Sequence, residues 1–191
     1  MTTSGPHGGL DVDLARAVRL VVLDVDGVLT DGGVYVGMTA SHEVVELKRF
    51  DIQDGLGVKM LQRAGIEVAL VSGRVSEATS LRAAELGITE CHQDAGARKL
   101  PIVRDLLARK GLAWSDVAMV ADDLADLPVF VRAGLRVAVA NAVPEVTQVA
   151  HWCTKAGGGR GAAREFSRAL LSARGEWERL VDEYVEQRTD D

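Results

Sequence analysis

Apolar residues recur along this chain in two alternating rhythms: short β-branched runs, and longer stretches with helical spacing. Residues 18–23 (VRLVVL) form a short run rich in Val, which predicts a strand buried on both faces. The same texture returns at 66–71, 117–121 and 135–140. Between and after these runs, 55–64, 76–86, 99–110 and 124–132 read as helices packed on one side. Strand and helix in alternation predict an α/β fold: a Rossmann-like, mostly parallel sheet flanked by helices.

One stretch breaks the rhythm. Residues 33–37 and 43–50 alternate about a Gly- and Ser-containing turn, which predicts a small β-hairpin flap at about 32–50. Inserted after the first strand, the hairpin would lie over the carboxyl end of the sheet, where open α/β sheets bind ligands, and would screen a site from water. Further on, GGGRG at 157–161 predicts a flexible loop carrying one guanidinium, that of Arg160. Helices are expected at 162–172 and 176–187, the last as a solvated surface helix, and the strand-like 150–154 is expected to serve packing. The organisation is thus a single domain over 18–175, between an N-terminal extension (1–17) and a C-terminal helix and tail (176–191). Disorder is expected only in the first ten residues and the last few.

Composition narrows the partners. The chain has 191 residues, 47% hydrophobic but only 4% aromatic, so its core must be built from Val, Leu, Ile and Ala. A net charge of −6 argues against nucleic acid as a partner. No apolar run has the length of a membrane span and the N-terminus lacks a signal-peptide core, so a soluble, cytoplasmic protein is expected. Cys91 and Cys153 lie far apart and imply no disulfide framework. No histidine has a partner at ligand spacing, and Trp114 and Trp177 are expected to pack.

The candidate chemistry sits at the strand ends. Asp24 and Asp26 follow the first strand directly, and two carboxylates there are costly without a task. In extended chain they point to one side, and Gly27 allows the backbone to turn sharply. The third buried strand ends in Asp122 and Asp123, with Asp126 one helical turn later. If these strands are neighbours, carboxylates meet at one edge and call for a cation; an oxygen-only set favours Mg2+ over zinc. Ser72, Gly73 and Arg74 end the second strand, where a hydroxyl and free backbone N–H groups can hold a phosphate. Lys99 opens a helix and supplies positive charge. A nucleophilic carboxylate, a metal and fixed donors are the requirements of phosphoryl transfer.

In this order, DVDGV, VSGR, Lys99 and ADDLAD resemble the four motifs of the haloacid dehalogenase superfamily of phosphatases. LDVDGVLTDG, FDIQDGLG, DDLADLPVF, AVANAVPEV and GGGRGAAREF further resemble its capless type, the 3-deoxy-D-manno-octulosonate 8-phosphate phosphatases, over nearly all of 19–177. The resemblance implies that Asp24 forms an aspartyl-phosphate and Asp26 is general acid, then base. It implies Mg2+ held by Asp24, the Asp26 carbonyl and Asp122, with Asp123 and Asp126 behind them. Ser72 and Lys99 would hold phosphoryl oxygens. Substrate contacts would come from Asp51, Ile52, Gln53, Asp54, Gly55, Lys59, Gly73, Arg74, Arg82 and Lys99. The resemblance also implies a homotetramer in which the hairpins associate and Arg160 reaches an adjacent subunit's substrate. The chain departs from the family pattern at Ala121, where Gly is usual, and at Gln53, Lys59 and Lys155, where Arg is expected. Asn141 and Val143 also stand in place of an Asp and a His. These departures leave the chemistry intact and keep a nonulosonate 9-phosphate and a broad set of small phosphate esters as competing substrate readings. A non-catalytic oligomerisation module is the alternative from a different class, against which Asp24, Asp26, Ser72, Lys99 and Asp122 argue.

Overall fold

The computed structural model describes residues 9–189. The disorder expected at the two ends falls largely outside these residues; Leu10, within them, is buried in the core. Six strands form one parallel sheet in the order β5-β4-β1-β6-β7-β8: β1 (Leu20–Leu23), β4 (Glu67–Ser72), β5 (Glu90–Gln93), β6 (Val117–Ala121), β7 (Leu135–Ala138) and β8 (Trp152–Cys153). β2 (Tyr35–Met38) and β3 (Val44–Leu47) form the expected hairpin, antiparallel and separate from the sheet. Its base is closed by a bridge between Thr30 and Phe50.

The strands alternate their side chains between two apolar layers. Val21, Leu23, Leu70 and Val120 face one layer, completed by α2 (Ile52–Arg63), α3 (Glu77–Leu86) and α7 (Ala162–Ala173). Leu20, Val22, Val71 and Met119 face the other, completed by α4 (Lys99–Lys110) and α5 (Leu127–Phe130). α7 has a marked apolar stripe, burying Ala162, Ala163, Phe166, Leu170 and Leu171 against α2. β1 is central, and the chain leaves it first toward β4 and later toward β6. The topological switch point, where such sheets bind ligands, therefore lies at the carboxyl end of β1.

Two expectations are corrected. The helix expected at 124–132 is a single tight turn followed by the short α5, because Pro128 has no N–H to continue a ladder and opens a new helix instead. The C-terminal helix α8 (Trp177–Glu186) is not simply a solvated surface helix: Trp177 and Leu180 are buried in the α7 layer, and Arg164 lies over the Trp177 ring at 4.7 Å. Within the expected N-terminal extension, α1 (Val12–Ala17) is capped by Asp11 and packs on α7, where Arg174 donates to the carbonyls of Ala15 and Val18. One-turn α6 (Pro144–Thr147) completes the set.

Candidate active site

Asp24 leaves the end of β1 in extended backbone, and residues 25–29 then wind into one wide turn. Inside it Asp26 and Gly27 abandon helical geometry, Gly27 at φ +99, a left-handed value that suits glycine. A side chain at Gly27 would also collide with the Asp122 carboxylate. Thr30 braces the turn: its hydroxyl accepts from the N–H groups of Gly27 and Gly32 and donates to the Val25 carbonyl. Gly158 presses on the turn from outside, where a Cβ would overlap the Gly27 carbonyl oxygen and stand 2.7 Å from that of Thr30. Asn141 joins the two loops, donating to the Gly27 carbonyl at 3.0 Å and accepting from Gly158 N at 2.6 Å.

The predicted strand ends converge. Lys99, buried at the start of α4, places Nζ 2.5 Å from Asp24 Oδ1 and 2.6 Å from Asp126 Oδ1. Asp24, Asp122 and Asp126 each offer an oxygen within 4.8 Å of the others. Burial raises the pKa of Asp24 well above the ordinary value; Asp126 adds to the rise and Lys99 opposes it. Burial, then Asp126, pushes Asp122 up to about 6. Burial likewise raises Asp126 against the pull of Lys99. For Lys99 burial acts downward, but Asp24 and Asp126 together outweigh it and the pKa ends above normal. Three carboxyls against one ammonium leave an excess of negative charge. Asp122 Oδ1 is moreover buried with no hydrogen-bond partner. An orphaned carboxylate oxygen in an all-oxygen cluster fits a hard divalent cation such as Mg2+. Asp126, expected behind the ligands, stands within the cluster itself; Asp123 is exposed and caps its own turn through Leu124 N.

A cavity of about 190 Å3 opens on this cluster, lined by Asp24, Asp26, Gly73, Arg74, Ala97, Lys99, Asp123, Ala125 and Asp126. Ser72 Oγ, fully buried, lies 3.3 Å from Asp26 Oδ2 and 3.0 Å from the Arg74 carbonyl. Of the expected substrate contacts, Gly73, Arg74 and Lys99 line this cavity, and the rest lie outside its lining. Asp51 caps α2 by accepting from Gln53 N, with Ile52 and Gln53 exposed beside it. Asp54 is buried and accepts from Gly161 N at 3.2 Å and Arg164 N at 2.8 Å, so it caps α7 instead of facing a ligand. Lys59 donates to the Leu86 carbonyl at 2.5 Å, at the end of α3. Arg82 pairs with Glu85 and the Asp51 carbonyl, in space that a side chain at Gly55 would occupy. Arg160 lines a second cavity, of about 310 Å3, with Asp31, Gly33, Asn141, Gly157 and Gly158.

Sequence reasoning missed the flap's part. Lys48 Nζ lies 2.6 Å from Asp26 Oδ1, and Glu46 Oε2 2.7 Å from Arg74 Nη2. Arg49 donates to the Gly159 carbonyl. The signal was the alternation itself: Glu46 and Lys48, two apart, share one side of an extended segment.

Comparison with known proteins agrees with this geometry. Residues 93–165 match the family model of haloacid dehalogenase-like hydrolases. The 3-deoxy-D-manno-octulosonate 8-phosphate phosphatase of Escherichia coli (strain K12) is 42% identical over 174 residues, 91% of this chain and 90% of that protein. The crystal structure of the Moraxella catarrhalis phosphatase of the same name, in complex with a magnesium ion, a phosphate ion and KDO, superposes with a TM-score of 0.83 at 33% identity, covering 91% of this chain and 97% of that one. The Yersinia pestis phosphatase gives 0.80 at 40% identity, over 87% and 88%. With its acidic strand ends, buried lysine and hairpin flap, the chain belongs to the haloacid dehalogenase-like hydrolase family, in the group that holds the 3-deoxy-D-manno-octulosonate 8-phosphate phosphatases.

Proposed function

We propose that this chain is a Mg2+-dependent phosphatase that hydrolyses 3-deoxy-D-manno-octulosonate 8-phosphate through an aspartyl-phosphate on Asp24. The observation that carries the reading is the pairing of Lys99 with Asp24 and Asp126 at the carboxyl end of β1. Burial raises the Asp24 pKa and works against it as a nucleophile; the Lys99 ammonium opposes that rise and holds one of its oxygens at the edge of the cavity. Asp24 attacks phosphorus as the bond to the sugar oxygen breaks, and Asp26 gives that oxygen a proton. Asp26 then takes a proton from water, which attacks the same phosphorus and frees Asp24 and phosphate. Lys99, in the lining of the cavity, would face the phosphoryl oxygens, whose charge must be neutralised in flight. Asp24, Asp122 and the Asp26 carbonyl, with Asp126 beside them, would hold Mg2+. When bound, the ion supplies charge neutralisation at the phosphoryl group.

Exposed apolar side chains on both faces of the flap support a homo-oligomer. The register puts Tyr35 and Leu47 on one face and Val36, Met38 and Val44 on the other, with Val44 75% and Met38 70% exposed, a pattern that asks for cover. A tetramer joined through the hairpins would meet that need and would bring Arg160 toward a neighbour's site. No helix among the described residues is long and apolar enough to cross a membrane.

The test is phosphate release from a panel of the octulosonate 8-phosphate, nonulosonate 9-phosphates and hexose phosphates, with Mg2+ and with chelator. The expected result is a strong, Mg2+-dependent preference for the octulosonate ester that Asp24→Asn abolishes. Even, slow hydrolysis across the panel would remove the substrate assignment. Equal inactivity of wild type and Asp24→Asn on every ester would remove the enzyme reading.

A further inference from the structure

The flap turns inward at its base. Along the hairpin the apolar side chains of Val36, Met38 and Val44 are exposed, yet the Lys48 side chain, just past β3, is 0% exposed. A buried lysine needs a partner, because an ammonium removed from water is costly. The partner here is Asp26 Oδ1 at 2.6 Å, reached across 22 residues of sequence. Thr79 Oγ1, in the first turn of α3, lies at 3.4 Å and Glu46 Oε1 at 3.8 Å from the same ammonium. Glu46 in turn holds Arg74. The Asp26 carboxylate is therefore gripped at Oδ1 by Lys48 from the flap, while the Ser72 hydroxyl of β4 stands 3.3 Å from Oδ2 with its one proton contested by the nearer Arg74 carbonyl. Its own backbone gives it little support, since Asp26 and Gly27 lie in the non-helical part of the turn.

We propose that Lys48 is the positioning residue for the acid–base carboxyl of Asp26, so that docking of the flap and the aim of that carboxyl are a single event. The inference rests on the role given to Asp26 above. Over the cycle Asp26 gives one proton to the leaving sugar oxygen as its bond to phosphorus breaks, and takes one from the attacking water. Lys48 exchanges none in this scheme. Its task is orientation: with that grip removed, the carboxyl is free to rotate about its Cα–Cβ bond and out of line with the leaving oxygen. Misplacement of that order is enough to weaken proton transfer, which needs hydrogen-bond reach in the transition state.

The test separates orientation from general damage by the leaving group. An alkoxide must be protonated as it departs, whereas p-nitrophenolate leaves without help. The quantity to compare is kcat/KM, which reports steps up to release of the leaving group, for the octulosonate 8-phosphate and for p-nitrophenyl phosphate. Lys48→Met and Lys48→Gln should each lower kcat/KM on the sugar ester about 100-fold and on the aryl ester less than about tenfold, in the range that general acid catalysis supplies. Asp26→Asn, measured alongside, should show the same split. If Asp26→Asn shows it while the Lys48 variants fall equally on both esters, or on neither, the positioning role is overturned and the role of Asp26 stands. If Asp26→Asn shows no split, both are overturned. Thermal melts of each variant identify a loss of fold, and if the Met variant fails to fold, the neutral, polar Gln variant decides the question.

Discussion

Asp54→Asn separates two tasks for one carboxylate. A substrate contact at Asp54 would face the cleft, yet the structure buries it and spends both oxygens on the start of α7: Arg164 N at 2.8 Å and Gly161 N at 3.2 Å. The amide keeps one acceptor and turns an NH2 toward the other N–H, leaving a buried donor unpaired. Hydrogen bonds to a charged group contribute about 1.5–3 kcal/mol each. Burial already raises the Asp54 pKa, so a neutral side chain recovers part of that loss. The expected net cost is about 1.5 kcal/mol. For a chain of this length each kcal/mol moves Tm by about 2–4 °C, so the melt should fall by about 3–6 °C. Asp54→Ala removes both acceptors and should fall about twice as far. The assay is thermal unfolding at saturating Mg2+, with KM for the sugar ester measured on the same samples. Melts within about 1 °C of wild type for both variants, together with a KM raised about tenfold, would refute the capping argument and return Asp54 to the substrate.

Four further outcomes follow from the geometry. Gly158→Ala must push the Gly27–Thr30 turn away from the glycine loop; overpacking against backbone should cost about 3 kcal/mol and lower Tm by about 6–12 °C, and an unchanged melt would show that the two loops part easily. Asp122, held near 6 by burial and Asp126, must lose its proton to bind a cation, so apparent Mg2+ affinity should weaken about tenfold per pH unit below about 6 and level off above it in calorimetric titrations. In chelator the sign for stability is the opposite of the usual carboxylate: between 3.8 and about 6 the folded state holds the extra proton, so the Asp122 contribution to the melt declines as pH rises, and Asp122→Asn should remove that decline. Val44→Asp puts a charge on the most exposed apolar part of the flap and should reduce the oligomer in light scattering without lowering the monomer's melt; an unaltered mass would place the subunit contact elsewhere.

Much of this was legible because sheet chemistry is local. A buried parallel strand must be apolar on both faces, so β1, β4 and β6 announce themselves, and α4 occupies the expected residues. β5 does not, because Glu90, Cys91, His92 and Gln93 sit on a half-buried edge where neither a solid apolar run nor strict alternation is required. The acidic cluster is legible for the same local reason: residues placed straight after buried strands converge once the strands pair, and β1 pairs with both β4 and β6. That is why Asp24, Ser72 and Asp122 could be assembled before any coordinates.

The illegible part is whatever depends on which of several partners a long side chain chooses. Lys59 and Arg82 have the charge to bind an acidic sugar, but backbone carbonyls at Leu86 and Asp51 lie within their reach and hold them. Lys48 has the same charge, but the flap carries it to the Asp26 carboxylate and Thr79. Spacing along a chain encodes the face on which a residue stands; it does not encode how a hairpin tilts over a sheet. The tilt is set by contacts on both sides of the flap, by Glu46 with Arg74 and Arg49 with the Gly159 carbonyl. Arg74, Gly159 and Asp26 belong to three loops that meet only at the carboxyl edge of the sheet, so the flap tests their assembly. A chain in which any of the three is displaced loses the aim of Asp26 before it loses the carboxylate cluster beneath, which is held separately by Lys99.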